Sequence, residues 1–428
     1  MKKCFLNNEN LTEDYINKLL NRNTDENIQI EDTVKKIIDN VKKMGDKALK
    51  NYTEKFDNIL LENIKVTKKE ILDAYKEVDD NFIEILKTAK KNIQSFHEHQ
   101  VQNTWMKEFS PGVTLGQQIT PIDRVGLYVP GGKGGYPSTV LMDAIPAIVA
   151  GVKSIALITP PNIYGKINPY ILVAADLVGI DEIYKVGGAQ GIAALAYGTE
   201  SILPVNKIVG PGNIYVATAK KQVYGKVAID MIAGPSEICI LANKESNPSY
   251  IAADMLSQAE HDEMATSILI STDDIAEKVL EQLHIQMNEL PRKDIIKKSI
   301  DSNAKIFIVD SIITAIKLCN IIAPEHLEIM LDKPFDVLKE IKNAGAIFLG
   351  SYSPEPIGDY FAGPNHTLPT SGTAKFSSPL GVYDFVKKSS IIYYEKESLQ
   401  KVQNQVVKFA EAEGFKAHAD AVRRRFYD

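Results

Sequence analysis

The sequence has few cysteines and no long apolar run, and each absence excludes a class of protein. Cys4, Cys239 and Cys319 are widely spaced, without a Cys-x-x-Cys pair. This pattern argues against a disulfide framework or a cysteine-only zinc site and favours a reducing cytoplasm. No apolar stretch reaches the roughly 18 residues of a membrane span, and none after Met1 suits a signal peptide. We therefore expect a cytoplasmic protein that does not contact membranes.

The common nucleotide-binding signatures are absent as well. The sequence contains neither Gly-x-Gly-x-x-Gly, which follows the first strand of many dinucleotide-binding domains, nor a Walker A loop. A formal net charge of −6 gives no sign of affinity for nucleic acid. Any nucleotide site must therefore use glycines in another arrangement.

The chain of 428 residues is too long for one hydrophobic core, so two domains with appendages are expected. Residues 1–100 are charged and carry apolar residues at helical spacing. From about residue 124, β-rich runs alternate with amphipathic segments, which is typical of parallel sheets covered by helices on both faces. The eight strands predicted there are residues 125–129, 154–158, 183–186, 207–209, 238–241, 267–270, 305–309 and 346–349.

Four glycine-rich turns stand in one half of the chain, at residues 130–137, 186–191, 210–213 and 233–237. The first three lead into helical segments. Glycine lets backbone amides approach a ligand, and helix N-termini favour anions such as a pyrophosphate. Each turn alone could be an ordinary tight turn, but four together favour a binding function.

Two segments pair a histidine with another residue that could bind or react. Gln258 and His261 are three residues apart at a predicted helix end, so both could reach one metal ion. The alternative there is a capped helix end with a surface histidine. Glu325 and His326 follow a proline, and a histidine with a pKa of about 6.5 suits a general base. The alternative is a surface pair at a helix start.

Two further segments differ in how strongly they indicate function. Residues 358–370 form a predicted loop that is dense in glycine and proline yet carries Asp359 and His366, which favours a functional loop. Glu413 and His418 lie on a predicted C-terminal arm, where a strand at 389–395 and a helix at 397–412 precede them. Taken alone, they read as a solvated tail. His97 and His99 are two apart on a predicted helix, so we assign both to the surface.

Together these motifs resemble the histidinol dehydrogenase family. The matching pieces follow the family's order over about residues 10–428. The sequence departs from the family's pattern at few positions. Lys133 and Gly134 stand where small residues such as alanine are common in the family, and Lys375 stands where arginine is expected. The matching pieces are residues 128–132, 136–138, 187–190, 210–213, 233–237, 257–262, 323–328, 358–370 and 413–418.

The resemblance implies a zinc site, a catalytic pair and two sets of binding residues. The implied zinc ligands are Gln258, His261, Asp359 and, from the partner subunit of a homodimer, His418. The implied general base is His326, and the implied activator of water is Glu325. These four ligands and His326 would also contact the substrate, together with Ser236, His366 and Glu413. The implied NAD contacts are Tyr128, Gln190 and Asn213.

The resemblance also implies an α/β fold of two incomplete Rossmann-like doubly wound sheets. It predicts an N-terminal helical extension at 1–25, and a larger domain of 26–127 plus 237–380 that carries most metal and catalytic residues. It further predicts an NAD-contacting domain at 128–236 and a C-terminal dimerisation arm at 381–428. These boundaries place the metal ligands and the glycine-rich turns on different domains.

The expected reaction is oxidation of L-histidinol through L-histidinal to L-histidine with two NAD molecules. A dehydrogenase of the same family for another small alcohol is the nearest alternative. A zinc hydrolase would also suit the Gln, His and Asp ligands, although the glycine-rich turns speak against it. A metal-binding protein without catalysis would leave the Glu325–His326 pair without a purpose. Neither Cys239 nor Cys319 lies in a glycine-rich or histidine-bearing motif, so both read as buried structural thiols and the aldehyde is expected to react as its hydrate.

Overall fold

The computed structural model describes residues 2–7, 11–20, 28–131 and 135–427. Its strands are β1 (Lys2–Leu6), β2 (Trp105–Ser110), β3 (Val113–Pro121), β4 (Arg124–Tyr128), β5 (Ser154–Thr159), β6 (Glu182–Lys185), β7 (Lys207–Val209), β8 (Ala228–Ile229), β9 (Glu237–Ala242), β10 (Thr266–Ser271), β11 (Lys305–Val309), β12 (His326–Met330), β13 (Ala346–Leu349) and β14 (Val386–Tyr394).

The helices begin and end as follows, and single 3-10 turns at Thr373–Lys375 and Val382–Phe385 accompany them. They are α1 (Glu13–Leu19), α2 (Ile28–Met44), α3 (Asp46–Asp57), α4 (Lys68–Ala74), α5 (Asp80–Glu98), α6 (Pro137–Ala150), α7 (Pro169–Leu177), α8 (Gly188–Tyr197), α9 (Ile214–Val223), α10 (Pro248–Ala259), α11 (Ala276–Met287), α12 (Lys293–Asn303), α13 (Ile312–Ile322), α14 (Pro334–Leu338), α15 (Glu355–Tyr360), α16 (Lys396–Ala412) and α17 (Lys416–Arg423).

A parallel sheet in the order β6-β5-β4-β7-β8 forms one half of the molecule. This order equals the first five positions of the doubly wound order 3-2-1-4-5-6. The chain reverses direction along such a sheet at its first strand, here β4, and ligands bind beyond the carboxyl ends of the strands at that point. The glycine-rich turns after β4, β6 and β7 leave the sheet at that edge.

A second parallel sheet has the order β1-β11-β10-β9-β12-β13. Strands β9 to β13 repeat the same order, and β1 is added beside β11. Ile238 and Ile240 of β9 pack towards α10, α11 and α12, whereas Cys239 and Leu241 pack towards α1 and α13. Both faces of the sheet are thus covered by helices, as expected for an unbroken apolar run.

The predicted α/β fold with helix-covered parallel sheets is confirmed, and all eight predicted strands are present. Other elements differ from prediction. The N-terminal segment begins with strand β1 rather than a helix, and its residues 8–10 and 21–27 lie outside the described part of the chain. Strands β2, β3, β8 and β12 were not predicted. Within the described residues, no helix is long and apolar enough to cross a membrane.

Helices α2 to α5 share cores with the five-stranded sheet and its covering helices, whereas α1 packs on the six-stranded sheet. Helices α2 and α3 share a core with α8, and α4 and α5 share one with α6 and α7. The predicted division grouped residues 26–127 with 237–380 instead. An amphipathic pattern shows which face of a helix is buried but not which sheet that face covers, so the sequence could not settle this pairing.

The prediction that His97 lies on the surface is wrong. His97 is fully buried in α5, where it continues the apolar stripe formed by Ile83, Leu86, Ala89 and Ile93. Its Nδ1 lies 2.9 Å from the Gln100 side-chain oxygen, and burial lowers its pKa. His97 is therefore a core residue on the buried face of α5.

The C-terminal arm predicted at 381–428 begins within a separate antiparallel sheet. Strand β14 pairs with β3 over nine residues, and β3 pairs with β2. All six residues of β2 are exposed. Helices α16 and α17 then follow β14 and pack on each other.

Candidate active site

Glu325 and His326 are buried at the amino end of β12, so the predicted alternative of a surface pair at a helix start is wrong. The Nδ1 atom of His326 lies 3.0 Å from the backbone carbonyl oxygen of Glu237, the first residue of β9. A carbonyl can only accept, so Nδ1 must carry the hydrogen. The other ring nitrogen, Nε2, is buried and has no hydrogen-bond partner among the described residues. It is thus oriented into the site.

Carboxylates surround the His326 ring. Its Nε2 atom lies 3.7 Å from Asp359 Oδ1 and 4.0 Å from Glu355 Oε1, and its Nδ1 lies 3.7 Å from Glu325 Oε2. Burial lowers the pKa of His326, but the three carboxylates outweigh burial and raise it above its usual range. Burial likewise raises the pKa of Glu325, although its Oε2 accepts a 2.8 Å hydrogen bond from the Glu237 N–H.

The predicted ligands His261 and Asp359 come together in space. Their ligand atoms and those of Glu355 all lie within 4.8 Å of one another. Gln258, in the last turn of α10, is completely buried, and neither its Oε1 nor its Nε2 has a hydrogen-bond partner among the described residues. A buried amide without a partner costs about 2 kcal/mol or more, so this side chain fits a role as a metal ligand.

Glu355 is a member of this cluster that sequence reasoning missed. It is 1% exposed, its Oε2 accepts a 3.0 Å hydrogen bond from the Ser257 hydroxyl, and its N–H donates to Glu328 Oε1 at 2.8 Å. Burial raises the pKa of Glu355, and it raises that of Glu328 to about 9. A glutamate in the first turn of a short helix after proline normally faces water, so the sequence carried no signal for this burial.

The segment 358–370 is partly helical rather than a loop throughout, because Asp359 belongs to α15. Downstream, His366 is partly buried, and its Nδ1 lies 3.1 Å from the Asp359 carbonyl oxygen. Burial lowers the pKa of His366, which favours a neutral ring. Ser236 is half-buried directly before Glu237. His366 thus lies close to Asp359 of the cluster, and Ser236 adjoins Glu237, whose backbone bonds to His326 and Glu325.

Glu413 and His418 do not join the cluster within this chain. Glu413 ends α16 and His418 lies in α17, and both are exposed. The His418 ring lies 5.2 Å from the Phe415 ring, measured between centroids. Their assignment to the site of a second subunit therefore stays a prediction.

The three residues predicted to contact NAD lie at the carboxyl edge of the five-stranded sheet. Tyr128 ends β4 and is buried, and its hydroxyl accepts a 3.4 Å hydrogen bond from the Gly188 N–H. Burial raises the pKa of Tyr128 to about 12, so the hydroxyl keeps its proton. Gln190 lies in the first turn of α8, and its buried Oε1 has no partner among the residues described. These polar groups could bind a polar ligand at the edge.

Asn213 already has a structural task as the N-cap of α9. Its side-chain oxygen accepts hydrogen bonds from the N–H groups of Tyr215 and Val216, at 3.1 and 3.2 Å. The start of α9 is therefore a preformed helix terminus of the kind that binds anions.

Three residues depart from the sequence pattern of the family. Lys133 and Gly134 lie outside the described residues, whereas Lys375 forms an ion pair with Glu13 of α1.

Comparison with known proteins finds relatives that match nearly the whole chain. The sequence model of the family described as histidinol dehydrogenase matches residues 20–426. Histidinol dehydrogenase from Clostridium acetobutylicum is 57% identical over 415 residues, which cover 97% of this chain and 96% of that one. The enzyme of the same name from Listeria monocytogenes is 54% identical over 417 residues, which cover 96% of this chain and 97% of that one. The crystal structure of histidinol dehydrogenase from Elizabethkingia anophelis superposes with a TM-score of 0.94 at 40% identity and covers 99% of this chain and 98% of that one.

Proposed function

This chain belongs to the histidinol dehydrogenase family of NAD-dependent oxidoreductases in histidine biosynthesis, and from that premise we propose how its residues oxidise L-histidinol through L-histidinal to L-histidine. The observation that carries the proposal is the convergence of His261 and Asp359 beside the unpartnered Nε2 of His326. A proton acceptor and a cluster of metal-binding groups thus face the same space.

We propose that zinc is held by Gln258, His261 and Asp359 of one chain and by the partner subunit's His418. The unpartnered amide of Gln258 supports this set. Zinc held by these residues would supply a Lewis-acid centre without redox chemistry for nitrogen and oxygen atoms of the substrate. With Asp359 engaged as a ligand, the His326 ring loses a carboxylate that favours its protonated form, so Nε2 can accept a proton.

His326 acts as the general base in both oxidations. Its Nδ1–H is held by the Glu237 carbonyl, so Nε2 is the atom that takes the proton. In the first step Nε2 removes the proton of the histidinol hydroxyl while hydride passes from the carbinol carbon to NAD, which gives the aldehyde. In the second step Nε2 takes a hydroxyl proton from the aldehyde hydrate while hydride passes to a second NAD, which gives the carboxylic acid.

Glu325 acts between these two steps. It removes a proton from water as the water oxygen adds to the aldehyde carbon, while protonated His326 Nε2 returns the proton taken in the first step to the aldehyde oxygen, and the hydrate results. This leaves Nε2 unprotonated for the second oxidation, and Glu325 passes its proton to solvent. The buried carboxyl of Glu325 is held by the Glu237 N–H, and its raised pKa suits proton transfer near neutrality. A thiohemiacetal route is disfavoured, because Cys239 and Cys319 are completely buried in the core on one face of the six-stranded sheet and the partly buried Cys4 packs against that same core.

The remaining predicted residues bind the two ligands. His366, Ser236 and the partner subunit's Glu413 would contact histidinol, and exposure of the arm that carries Glu413 supports contact with a second subunit. NAD would bind at the carboxyl edge of the five-stranded sheet, where Tyr128, Gln190 and the start of α9 meet. NAD accepts the hydride in each oxidation. We further propose that the dimer works in the cytoplasm.

The stoichiometry of cofactor reduction tests this function. Purified protein incubated with limiting L-histidinol and excess NAD is expected to yield two NADH per histidinol, and chelation followed by zinc addition is expected to abolish and restore the rate. One NADH per alcohol would contradict the second oxidation. Turnover without NAD would indicate a hydrolase, and faster turnover of another small alcohol would indicate a different substrate.

A further inference from the structure

We propose that four residues with buried side chains, Asp143, Lys220, Asp230 and Thr367, position the 210–213 turn and the His366 segment relative to each other. These four residues are called the buried network below. The inference rests on the proposed function, because it assigns an NAD contact to the turn and a substrate contact to His366. The network would then be what joins the two binding sites.

One part of the network fixes the backbone of Gly210. Lys220, on α9, is 2% exposed and forms a buried ion pair with Asp230. Its Nζ donates to the Gly210 carbonyl oxygen at 2.9 Å, and Asp230 Oδ2 accepts from the Gly210 N–H at 2.8 Å. Both backbone groups of Gly210 are therefore held by charged side chains, and the Asn213 cap follows three residues later.

Only glycine fits at this position. Gly210 has a φ of +114°, and a Cβ atom there would overlap the carbonyl oxygen of Tyr128 and lie 3.0 Å from Asp143 Oδ2. The turn is thus pressed against both the end of β4 and the side chain of Asp143. A shift of Asp143 would change the space that Gly210 occupies.

The other part of the network holds the His366 segment. Asp143, on α6, is fully buried, and its Oδ1 accepts a 2.8 Å hydrogen bond from the Thr367 hydroxyl. The neighbouring Asn365 donates from Nδ2 to the Met142 carbonyl oxygen at 2.6 Å. The residues on both sides of His366 are therefore tied to one turn of α6.

Asp143 lies beside both parts: its Oδ1 accepts from Thr367, whereas its Oδ2 faces Gly210 and has no hydrogen-bond partner among the described residues. Burial, together with the nearby Asp230 carboxylate, raises the pKa of Asp143 to about 8, and Lys220 partly offsets that rise. A buried ion pair adds little net stability compared with apolar packing of similar volume. We therefore assign the buried network to positional control rather than to stability.

The test compares Thr367→Val, which removes the hydroxyl but keeps the shape, with Thr367→Ser, which keeps the hydroxyl. Thr367→Val is expected to lower kcat about tenfold, the equivalent of about 1.4 kcal/mol, and to raise the KM for NAD. Thr367→Ser is expected to restore both values to nearly those of the wild type. Thr314→Val is the matched control, because the buried Thr314 also donates its hydroxyl to an aspartate, Asp310, but at the carboxyl end of β11.

A second variant, Asn365→Ser, removes the other tether and decides the question if Thr367→Val does not fold. It is expected to lower kcat in the same way. Unchanged kcat and KM values in the folded variants, with only a lower Tm, would overturn the inference. The ratio of variant to wild-type rates tests the network, whereas a wild type that forms no NADH from histidinol would contradict the proposed function itself.

Discussion

At the scale of single residues, the site is marked by buried polar atoms that lack a partner within the described part of the chain. His326 Nε2, both polar atoms of Gln258 and Gln190 Oε1 share this property. Folded proteins pair nearly all such atoms, since each unpaired one costs stability. Other buried atoms without a partner among the described residues, such as His97 Nε2 and Arg124 Nε, lie elsewhere, so it is their grouping with the metal-binding residues or with the glycine-rich turns that points to a ligand.

The division of labour between His326 and Glu325 leads to different defects in their variants. His326→Gln is expected to lower kcat by about 10² to 10⁴, because it removes the base from both oxidations. Glu325→Gln is expected to slow mainly the addition of water, so that one NADH forms quickly per histidinol and the second slowly. Rapid-mixing measurements of NADH resolve the two phases. His284→Gln, an exposed histidine on α11, serves as the control, and equal slowing of both phases in Glu325→Gln would contradict the assignment.

The raised pKa of Asp143 predicts how stability depends on pH. Its pKa is about 8 in the folded chain and 3.8 as a model value, so between these values the folded state holds a proton that the unfolded state has lost. Stability from this group is complete below about pH 4 and falls as pH rises towards 8. Asp143→Asn lacks this titration. The Tm of this variant minus the Tm of the wild type should therefore increase as the pH rises from 5 to 8. A constant Tm difference over that range would show that Asp143 does not carry this proton.

At the scale of elements, the site lies where opposite edges of the two parallel sheets meet. Glu237 and His326 begin β9 and β12, whereas Tyr128 ends β4. The segment after α15 joins these edges, because Thr367 bonds to α6 and the Thr370 hydroxyl accepts from the Gly234 N–H at 2.6 Å. The six-stranded sheet therefore places the proposed catalytic groups at its amino edge, opposite to the edge that the proposed NAD site occupies on the other sheet.

Asn213 caps α9 and is proposed to contact NAD, and variants of Asn213 can separate these two roles. Asn213→Ala removes the cap and should cost about 1 kcal/mol of stability as well as weaken NAD binding. Asn213→Asp keeps a capping oxygen and favours the helix dipole, so its Tm should stay near that of the wild type. Its added negative charge should repel a pyrophosphate and raise the KM for NAD. Wild-type NAD affinity in Asn213→Asp would remove this helix start from the cofactor site.

At the scale of the whole molecule, the catalytic cluster and the arm lie on different parts of the chain. His418 is exposed on α17, and large apolar residues of the arm are exposed as well, among them Phe409 at 70% and Phe415 at 53%. Exposed apolar side chains grouped in this way are typical of a surface that another subunit covers. The proposed dimer exchanges arms, so that each site combines residues of two chains.

Mixed dimers test the exchange of arms. His326→Gln and His418→Ala are each expected to be almost inactive. A dimer of one subunit of each kind retains one complete site, made from the unmodified cluster of one chain and the unmodified arm of the other. Unfolding and refolding an equal mixture should therefore restore about one quarter of wild-type activity, since random pairing makes half of the dimers mixed. No recovery in a mixture that refolds to dimers would contradict a shared site.

The sequence predicted most of the sheets because buried parallel strands read as continuous apolar runs, as in residues 238–241. It did not predict β2, whose six residues are exposed and mixed in character, or β1, whose pairing partner β11 lies about 300 residues away in the chain. Histidines and glycines located the site's segments, but their burial depends on tertiary packing. For that reason Glu355 was missed and His97 was misassigned.

The most direct measurement is a crystal structure with zinc and L-histidinol, with the metal located by anomalous scattering at the zinc edge. We expect one peak at about 2.0–2.2 Å from ligand atoms of Gln258, His261, Asp359 and the partner subunit's His418. We also expect the histidinol hydroxyl within hydrogen-bond distance of His326 Nε2. A zinc ion bound elsewhere, or a hydroxyl directed away from His326, would contradict the central claim.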